Sequence, residues 1–394
     1  MSKLTSSFLS LKSYCESENF AGWDPYDGLN SKIFKATPLK YWDLARLAWI
    51  QGFKRSPINF RKLLLVPKQH NAKGIGLFLN GYCNLYTLAE KGDTRFGSKE
   101  EILNRIDELA GLLLEMQNKE YSGACWGYNF DWQARRLFLF PAHTPTVVAT
   151  SFCVTALLNA YEITKNRTYL DTALSAGNFV LQDLNRTEYK SGFLFSYSPL
   201  NGNNTVFNAS LLGAKILSQL FAYNKDELYK ETATTAIKAA VEAQSEDGSW
   251  VYGMLPVQSW IDSFHTGYNL DALQTYQDKT GDTQFNESIE RGFNYYIEHF
   301  FLEDGTPKYY HNKTYPIDIH CPGQLFINLS VNNKFNENKA LAHSVYNWVT
   351  ENMQDDKGYF YYQLKEGMSS KIPYMRWSNA FMFNALSYYL LEQR

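Results

Sequence analysis

The feature that most constrains the fold is a repeat in which a helical stretch runs into a glycine and an aromatic residue before a new helix begins. The repeat occurs five times, as Gly123 with Trp126, Gly192 with Phe193, Gly248 with Trp250, Gly305 with Tyr309 and Gly358 with Phe360. From Gly192 onward the glycines are 56, 57 and 53 residues apart. Since two ordinary helices and two connections have that length, each repeat predicts one helical hairpin.

Apolar residues recurring with helical periodicity predict twelve helices in all. They cover approximately 38–53, 74–91, 99–117, 146–164, 168–183, 205–222, 225–244, 263–279, 283–301, 322–331, 336–354 and 377–391. Each amphipathic hairpin must bury its apolar side on both neighbours, so the prediction is an all-α fold, an (α/α)6 toroid of six inner and six outer helices. The more apolar helices are assigned to the inner ring. They begin at Thr146, Thr205, Ser263, Pro322 and Trp377.

Residues 73–394 are predicted to form the toroid, and residues 1–72 an irregular N-terminal extension that wraps it. Turn-forming stretches interrupt the extension at 22–31, 36–40 and 54–59, so only one good helix is expected there. All five glycine-aromatic loops lead from an outer helix to an inner one, and we therefore expect them at one mouth of the barrel. The inner helices begin at this mouth, where their free N–H groups favour an anionic or hydroxyl-rich ligand.

The charge and amino-acid composition of the chain limit the kinds of molecule that it is expected to bind. The net charge is only -2, from 38 basic and 40 acidic residues, which argues against a nucleic-acid partner or a polybasic membrane surface. Five cysteines without a CxxC pair indicate reduced thiols, and no stretch of about 18 apolar residues occurs. These features predict a cytoplasmic protein without membrane insertion. Its 28 Tyr and 9 Trp supply amphipathic rings of the kind that stack on sugars.

Acidic and histidine residues at the predicted mouth are the candidates for acid-base chemistry. Asp262 and His265 stand three apart at the start of an inner helix, where the aspartate can cap and the histidine can project inward. Asp318 and His320 repeat the pair one hairpin later. An N-cap aspartate beside a hydrogen-bonded histidine is an equally good interpretation. With Asp131 from the first mouth loop, these four residues form the predicted catalytic set.

Aromatic and arginine residues of the mouth loops are the candidates for binding a substrate. The rings would stack on sugars and the arginines would hold a uronate or a phosphate. A loop that packs its own aromatics and pairs its own charges would have the same composition. The predicted substrate-binding residues are Trp126, Tyr128, Trp132, Arg135, Arg136, Trp250, Tyr252, Arg376 and Trp377.

No cofactor is predicted, although a zinc site can be assembled on paper. His265, His320, Cys321 and Asp318 are ligand types that zinc accepts. Their spacing lacks the specificity of paired CxxC motifs, so a metal remains the lesser alternative.

The stretch Gln244 to Trp250, QSEDGSW, resembles the QxxxGxW repeat of squalene and hopene cyclases, and Gln354 to Phe360 is a weaker copy. The chain as a whole resembles a family of (α/α)-toroid proteins from bacterial and archaeal cell-surface polysaccharide loci. The similarity to this family rests on residues 22–31, 54–64, 126–133, 143–152, 262–273, 315–324 and 374–386. It implies a glycan context rather than a particular reaction.

The leading hypothesis is therefore a carbohydrate-active enzyme working on an acidic glycan or glycan precursor. Hydrolysis would need two carboxyl groups from among Asp131, Asp262 and Asp318. Lyase or epimerase chemistry would need a base such as His265 or Tyr128, and an arginine (Arg135 or Arg136) beside the uronate carboxylate. A non-catalytic glycan-binding or assembly protein is the first alternative. An isoprenoid cyclase is the second, although the acidic DxDD and DDxxD motifs of such enzymes are absent.

Overall fold

The protein is described by a computed structural model that covers residues 2–134 and 139–393. Within these ranges the chain is mainly helical. The α-helices are α1 Lys3–Ser17, α2 Lys32–Ala36, α3 Asp43–Arg55, α4 Ala72–Glu90, α5 Lys99–Glu115, α6 Val147–Thr164, α7 Arg167–Asn178, α8 Phe207–Asn224, α9 Glu227–Val241, α10 Ser263–Thr280, α11 Asn286–Phe300, α12 His320–Val331, α13 Lys339–Met353 and α14 Phe381–Glu392. Short π-helices at Phe179–Asp183 and Met375–Ala380 extend α7 and precede α14.

Three small antiparallel strand pairs decorate the loops. They are β1 Trp132–Gln133 with β2 Leu139–Phe140, β3 Arg186–Tyr189 with β4 Gly192–Phe195, and β5 Ile317–Asp318 with β6 Gln363–Leu364. Trp132 lies opposite Phe140, Arg186 opposite Phe195, and Asp318 opposite Gln363.

The helices form two concentric rings, which confirms the predicted (α/α)6 toroid. In the inner ring α4, α6, α8, α10, α12 and α14 each contact the next, and α14 contacts α4 to close the circle. In α8 every residue from Phe207 to Phe221 is buried, as expected for a helix with neighbours on all sides. Helix α6 is long and apolar enough to cross a membrane by length and composition alone, but it is an inner-ring helix with 61% of its span buried.

The outer ring differs from the prediction at one position. The helix predicted at 38–53 forms as α3 but lies outside the rings, and the sixth outer helix is α1, in a segment that was expected to be irregular. Serine-rich sequence lowers the helix propensity of this segment, so its periodicity is weak. Burial of Phe8, Leu11 and Cys15 against the core overrides that propensity.

The glycine-aromatic loops fasten each hairpin to the next outer helix. At Gly248 the loop comes so close that a Cβ would overlap the Arg291 backbone of α11, and at Gly358 a Cβ would overlap the Ser10 backbone of α1. Both glycines also have positive φ, 92° and 95°. The equivalent contacts show that α1 follows α14 in the ring as α11 follows α10.

Glutamines of the QxxxGxW-like stretches complete this fastening. The Gln244 side chain donates to the Gly248 and Ser288 carbonyls, and the Gln354 side chain donates to the Gly358 and Ser7 carbonyls. The motif therefore has a structural role here, tying the end of an outer helix to its own loop and to the neighbouring outer helix.

The sixth connection between the rings is by far the longest, and it folds over the mouth. We call residues 22–69, which lie between α1 and α4 and include α2 and α3, the cover segment. Leu29, Phe34 and Ile50 form a small core of its own. Hydrogen bonds from Asn30 to the Asn129 carbonyl and from Arg46 to the Gln133 side chain join the segment to the first mouth loop.

Candidate functional site

The candidate site lies at the mouth, where the inner helices begin beneath the cover segment. Half-buried rings from separate loops and helices lie there and are connected by ring contacts. These are Tyr26, Tyr128, Trp132, Phe152, Tyr197, Tyr252, His265, Tyr309 and Trp377. Aromatic surface with a few polar groups between the rings suits a ligand with apolar faces and hydroxyl edges, such as a sugar.

His265 is oriented by Asp262 in the first turn of α10. The Asp262 carboxylate accepts the His265 backbone N–H at 3.0 Å, which caps the helix, and contacts Nδ1 of the same residue at 2.8 Å. The Trp260 indole N–H donates to the second carboxylate oxygen at 2.9 Å. With Nδ1 engaged by the carboxylate, Nε2 is the ring nitrogen that remains for a substrate. The His265 side chain is 20% exposed, whereas the Asp262 side chain is fully buried.

Asp318 and His320 do not repeat this arrangement, and the prediction of a second Asp/His pair was wrong in its geometry. One Asp318 oxygen accepts the His320 backbone N–H at 3.0 Å and the Trp377 indole N–H at 2.9 Å. The other accepts from the Gln363 amide at 3.1 Å. Burial raises the pKa of Asp318 to about 6, against the lowering effect of these hydrogen bonds. Asp318 therefore positions Trp377 and the helix start, not the imidazole.

The His320 ring sits in an aromatic box without a polar partner. Ring centroids of Phe381, Trp377 and Phe264 lie 4.0, 4.2 and 5.2 Å away. Among residues 2–134 and 139–393, neither Nδ1 nor Nε2 has a hydrogen-bond partner, although both are buried. Burial lowers the pKa of His320 well below 6.5, and the charges of Lys73 and Arg376 lower it further. His320 is thus a buried, neutral imidazole whose two nitrogens are not engaged by any described residue.

Lys73 and Tyr268 are site residues that the sequence analysis missed. The Lys73 ammonium nitrogen lies 3.1 Å from the Tyr268 hydroxyl and 4.2 Å from the Phe152 ring centroid. Burial and the nearby Arg376 lower the pKa of Lys73 well below 10.5. Lys73 occupies the first turn of α4, just as His265 does in α10. Treating the first turn of every inner helix as mouth-facing would have found it.

Arg376 is held by the cover segment. Its Nε and Nη2 form a bidentate ion pair with the Asp24 carboxylate, at 2.5 and 2.8 Å, and both side chains are buried. Arg376 also lies over the Tyr128 ring, 4.9 Å from its centroid. The pair fixes the cover segment to the start of the last inner helix, so the Arg376 charge is already neutralised within the protein.

Among the predicted stacking residues, two lie in the hydrophobic core instead. Trp126 and Trp250 are almost fully buried, and their indole N–H groups donate to the Leu113 and Ala240 carbonyls. Because both faces of each indole are packed, neither can stack on a ligand, and their assignment as substrate-binding residues was wrong. In these two loops the aromatic residue of the glycine-aromatic pair packs into the core and holds the loop in place.

The other predicted rings do reach the mouth. Tyr128 stacks on Phe130 and its hydroxyl lies 3.3 Å from the hydroxyl of Tyr197. Tyr252 stacks on Trp260, with centroids 4.5 Å apart, and lies 4.6 Å from the His265 ring.

Trp132 and Trp377 approach Tyr26 of the cover segment from different sides. Their ring centroids lie 6.2 and 5.7 Å from that of Tyr26. Asp131 accepts a hydrogen bond from the Ala142 backbone N–H at 2.8 Å and thereby closes the first mouth loop. The predicted anion-binding residues Arg135 and Arg136 lie outside the described residues.

A metal centre is not assembled in the described part of the chain. Over residues 2–134 and 139–393, no three His, Cys, Asp or Glu side chains are grouped so as to hold an ion. The zinc alternative drawn from His265, His320, Cys321 and Asp318 does not fit this arrangement, since Asp318 is occupied by Trp377 and Gln363.

The chain matches no protein-family model and no curated protein sequence. Solved structures do resemble it. A cellobiose 2-epimerase from Bacillus thermoamylovorans B4167 is 15% identical with a TM-score of 0.63, over 82% of this chain and 88% of that one. A family 76 glycoside hydrolase from a bovine Bacteroides thetaiotaomicron strain is 10% identical with a TM-score of 0.64, over 100% and 78%.

An unsaturated glucuronyl hydrolase specific for heparin is 12% identical with a TM-score of 0.61, over 100% of this chain and 97% of that one. At these identities the likeness shows a shared fold. The chain therefore has the (α/α)-toroid fold found in sugar epimerases and in several glycoside hydrolases.

Proposed function

We propose that this protein is a carbohydrate-active enzyme that moves protons on a sugar, as an epimerase or isomerase does. The observation that carries the proposal is the pair of histidines at the mouth, both of which pack against Phe264, with ring centroids 4.1 and 5.2 Å from it. His265 is oriented by a carboxylate, and His320 is neutral and free of hydrogen bonds. Structural neighbours that are named as sugar epimerases support this choice.

The chemistry needs two acid-base groups near one carbon. One neutral imidazole removes the proton from a carbon next to a carbonyl, and the electron pair moves to the carbonyl oxygen to form an enediolate. A protonated imidazole on the other side returns a proton to the carbon, which inverts it. His320 and His265 are assigned these two roles. The Tyr268 hydroxyl, which accepts a hydrogen bond from Lys73, is the proposed donor to the oxyanion.

Hydrolysis is a weaker candidate because it needs two free carboxyl groups. The Asp262 and Asp318 carboxylates each contact three nitrogen atoms of the protein itself, as described above. Asp131 is the remaining predicted carboxylate, and it accepts from a backbone N–H in its own loop. Neighbours named as glycoside hydrolases keep this reaction as the second candidate.

The substrate class is proposed to be an acidic glycan, or a glycan precursor, of cell-surface polysaccharide biosynthesis. Support comes from the family resemblance, from the inner-helix N-termini at the mouth and from Arg135 and Arg136 in the sequence. Arg376 no longer contributes, because Asp24 neutralises it. The preference for an anion therefore depends on fewer residues than the sequence indicated.

Proton exchange with solvent tests the reaction directly. The protein is incubated in D₂O with a panel of free and oligomeric sugars, neutral and uronic, and NMR follows deuterium entering the carbon next to the carbonyl. We expect exchange with at least one reducing sugar, and its loss in His320→Gln. Release of free sugar from an oligosaccharide without exchange would establish the hydrolase instead. Binding without either reaction would establish a glycan-binding protein.

A further inference from the structure

The cover segment exposes an unusual amount of apolar surface. Of the fifteen large hydrophobic side chains that are exposed in the described part of the chain, nine lie between residues 33 and 65. We call them the apolar patch: Ile33, Leu39, Tyr41, Trp42, Leu44, Ile58, Phe60, Leu63 and Leu65. Tyr41 and Leu63 are 73% exposed and Leu44 is 69% exposed. Single exposed apolar residues are ordinary, but a concentration of this kind marks an interaction surface.

Backbone contacts bring the parts of the patch together. The Lys32 backbone N–H donates to the Leu65 carbonyl, and the Ser31 hydroxyl donates to the Leu64 carbonyl, so Ile33 lies beside the 60–65 turn. The Trp42 backbone N–H donates to the Leu39 carbonyl and closes the short 3-10 turn Pro38–Tyr41 that precedes α3. Along α3 the exposed positions 44, 48, 52 and 55 recur at helical spacing on one face.

The same segment is strongly basic. Residues 22–69 contain nine Lys or Arg and three acidic residues, Asp24, Asp27 and Asp43, whereas the remainder of the chain has 29 basic and 37 acidic residues. Three of the nine have carboxylate partners in or beside the segment, Arg46 with Asp43, Arg61 with Asp27 and Lys68 with Glu18. Lys32, Lys35, Arg55, Lys62 and Lys68 are exposed. Net charge near zero for the whole chain conceals this local excess.

We propose that the cover segment docks the protein on the surface of an anionic lipid bilayer. Trp, Tyr, Leu and Ile side chains enter the headgroup and upper acyl region, while Lys and Arg contact the lipid phosphates. The charge argues for this occupant, since an apolar partner would not require six excess positive charges. An acidic polysaccharide, in turn, would not require exposed Leu and Ile. Short elements and turns present the patch, which suits a deformable surface better than a shaped protein partner. No helix needs to cross the membrane.

Docking would set the mouth of the toroid against the bilayer. The cover segment is bound to the mouth by the buried Asp24–Arg376 ion pair and by contacts of Tyr26 with Trp132 and Trp377. The patch is therefore attached to the same layer of the molecule that carries His265 and His320. This inference stands on the surface alone and does not depend on the reaction catalysed there.

Vesicle co-sedimentation tests the proposal with the full chain. One set of vesicles contains phosphatidylcholine alone, and the other contains equal amounts of phosphatidylcholine and phosphatidylglycerol. We expect the protein to sediment with the anionic vesicles only, and less so at high salt. The double variant Leu44→Glu/Leu63→Glu should reduce the partition coefficient at least tenfold, and Lys35→Gln/Lys62→Gln by about fivefold per lysine.

Leu228→Glu is the matched control, because Leu228 is 54% exposed on α9, outside the cover segment. It should bind vesicles as the unchanged protein does, and equal melting temperatures would show that every variant is folded. The proposal is overturned if the unchanged protein stays in solution with anionic vesicles, or if Leu228→Glu loses as much binding as the patch variant. Light scattering that shows a dimer dispersed by Leu44→Glu, without vesicle binding, would identify a second copy as the occupant instead.

Discussion

Two neighbouring entries to the inner ring carry the same pair of residue types and use it in opposite ways. At the start of α10, Asp262 contacts the His265 ring and caps the helix. At the start of α12, Asp318 reaches only the His320 backbone, and the imidazole is left among aromatic rings. One histidine is thus polarised by a carboxylate and the other is neutral, which is the difference that an acid and a base require.

A single residue of spacing causes the contrast. In the first pair the aspartate is the N-cap, so both the backbone N–H and the side chain of the residue three positions on are within its reach. In the second pair the separation is two, and the carboxylate turns back onto the nearest backbone N–H as Asx turns do. Residue types therefore identified the right positions, while spacing decided their chemistry.

The largest expected effect comes from removing either imidazole. If the two histidines act as acid and base, His265→Gln and His320→Gln should each lower kcat for proton exchange by about 10² to 10⁴. The melting temperature of His265→Gln should hardly change, since its ring is partly exposed. Single-turnover exchange in D₂O provides the measurement. A loss in only one of the two variants would mean that a single group serves both faces.

Replacing the two aspartates should lower kcat by different, and smaller, amounts. Asp262→Asn keeps the helix cap but removes the carboxylate that orients the His265 ring, so kcat should fall by about 10²-fold. Asp318→Asn should lower kcat by less than about tenfold, because Asp318 has no contact with the His320 ring. Comparison of kcat and KM for the two variants, with matched circular-dichroism spectra, checks this order. Equal losses would make the two pairs functionally equivalent after all.

The pH dependence of kcat tests the effect of Lys73 on His320. Lys73 lowers the pKa of His320 through its charge. Lys73→Met should therefore move the acidic limb of the kcat profile to higher pH. Tyr268→Phe is the control, because it removes the hydroxyl that contacts Lys73 and leaves the charge near His320 in place. An unchanged limb in Lys73→Met would assign that limb to another group.

The smallest expected effect is on stability. The unfolded chain protonates His320 at about pH 6.5, whereas the folded protein holds its pKa well below that value. The unfolded state therefore binds the extra proton below pH 6.5, and the free energy of unfolding falls there by up to about 1.4 kcal/mol per pH unit. His320→Phe should remove this contribution, while His265→Phe should not. Urea titrations between about pH 5 and 7.5, the range in which an unperturbed histidine titrates, give the slope of the free energy of unfolding against pH. Identical slopes in the two variants would contradict a buried, neutral His320.

The toroid was largely predictable because two sequence signals indicate closely packed hairpins. They are the repeated glycine-aromatic pairs and the helical periodicity of the apolar residues. Helix α1 was not, since its serines weaken the local signal and its partners, such as Gln354, are far away in sequence. At the site, Asp262 and His265 followed from capping rules. The surroundings of Lys73 and the Asp24–Arg376 ion pair depend on how the cover segment packs over the mouth. No local sequence pattern predicts that packing.

The position of α1 makes the sixth hairpin a joint product of the two ends of the chain. Five hairpins are continuous in sequence, but the sixth consists of α14 and α1. A hydrogen bond from Ser7 of α1 to Gln354, at the end of α13, joins residues that are 347 positions apart in the chain. During synthesis α1 is made before any of its partners on α13 and α14 exist, so the ring cannot close until α14 has been translated. A permuted gene that places α1 directly after α14 would make all six hairpins continuous, so that α1 is made when its partners are already present, at little cost to the closed ring.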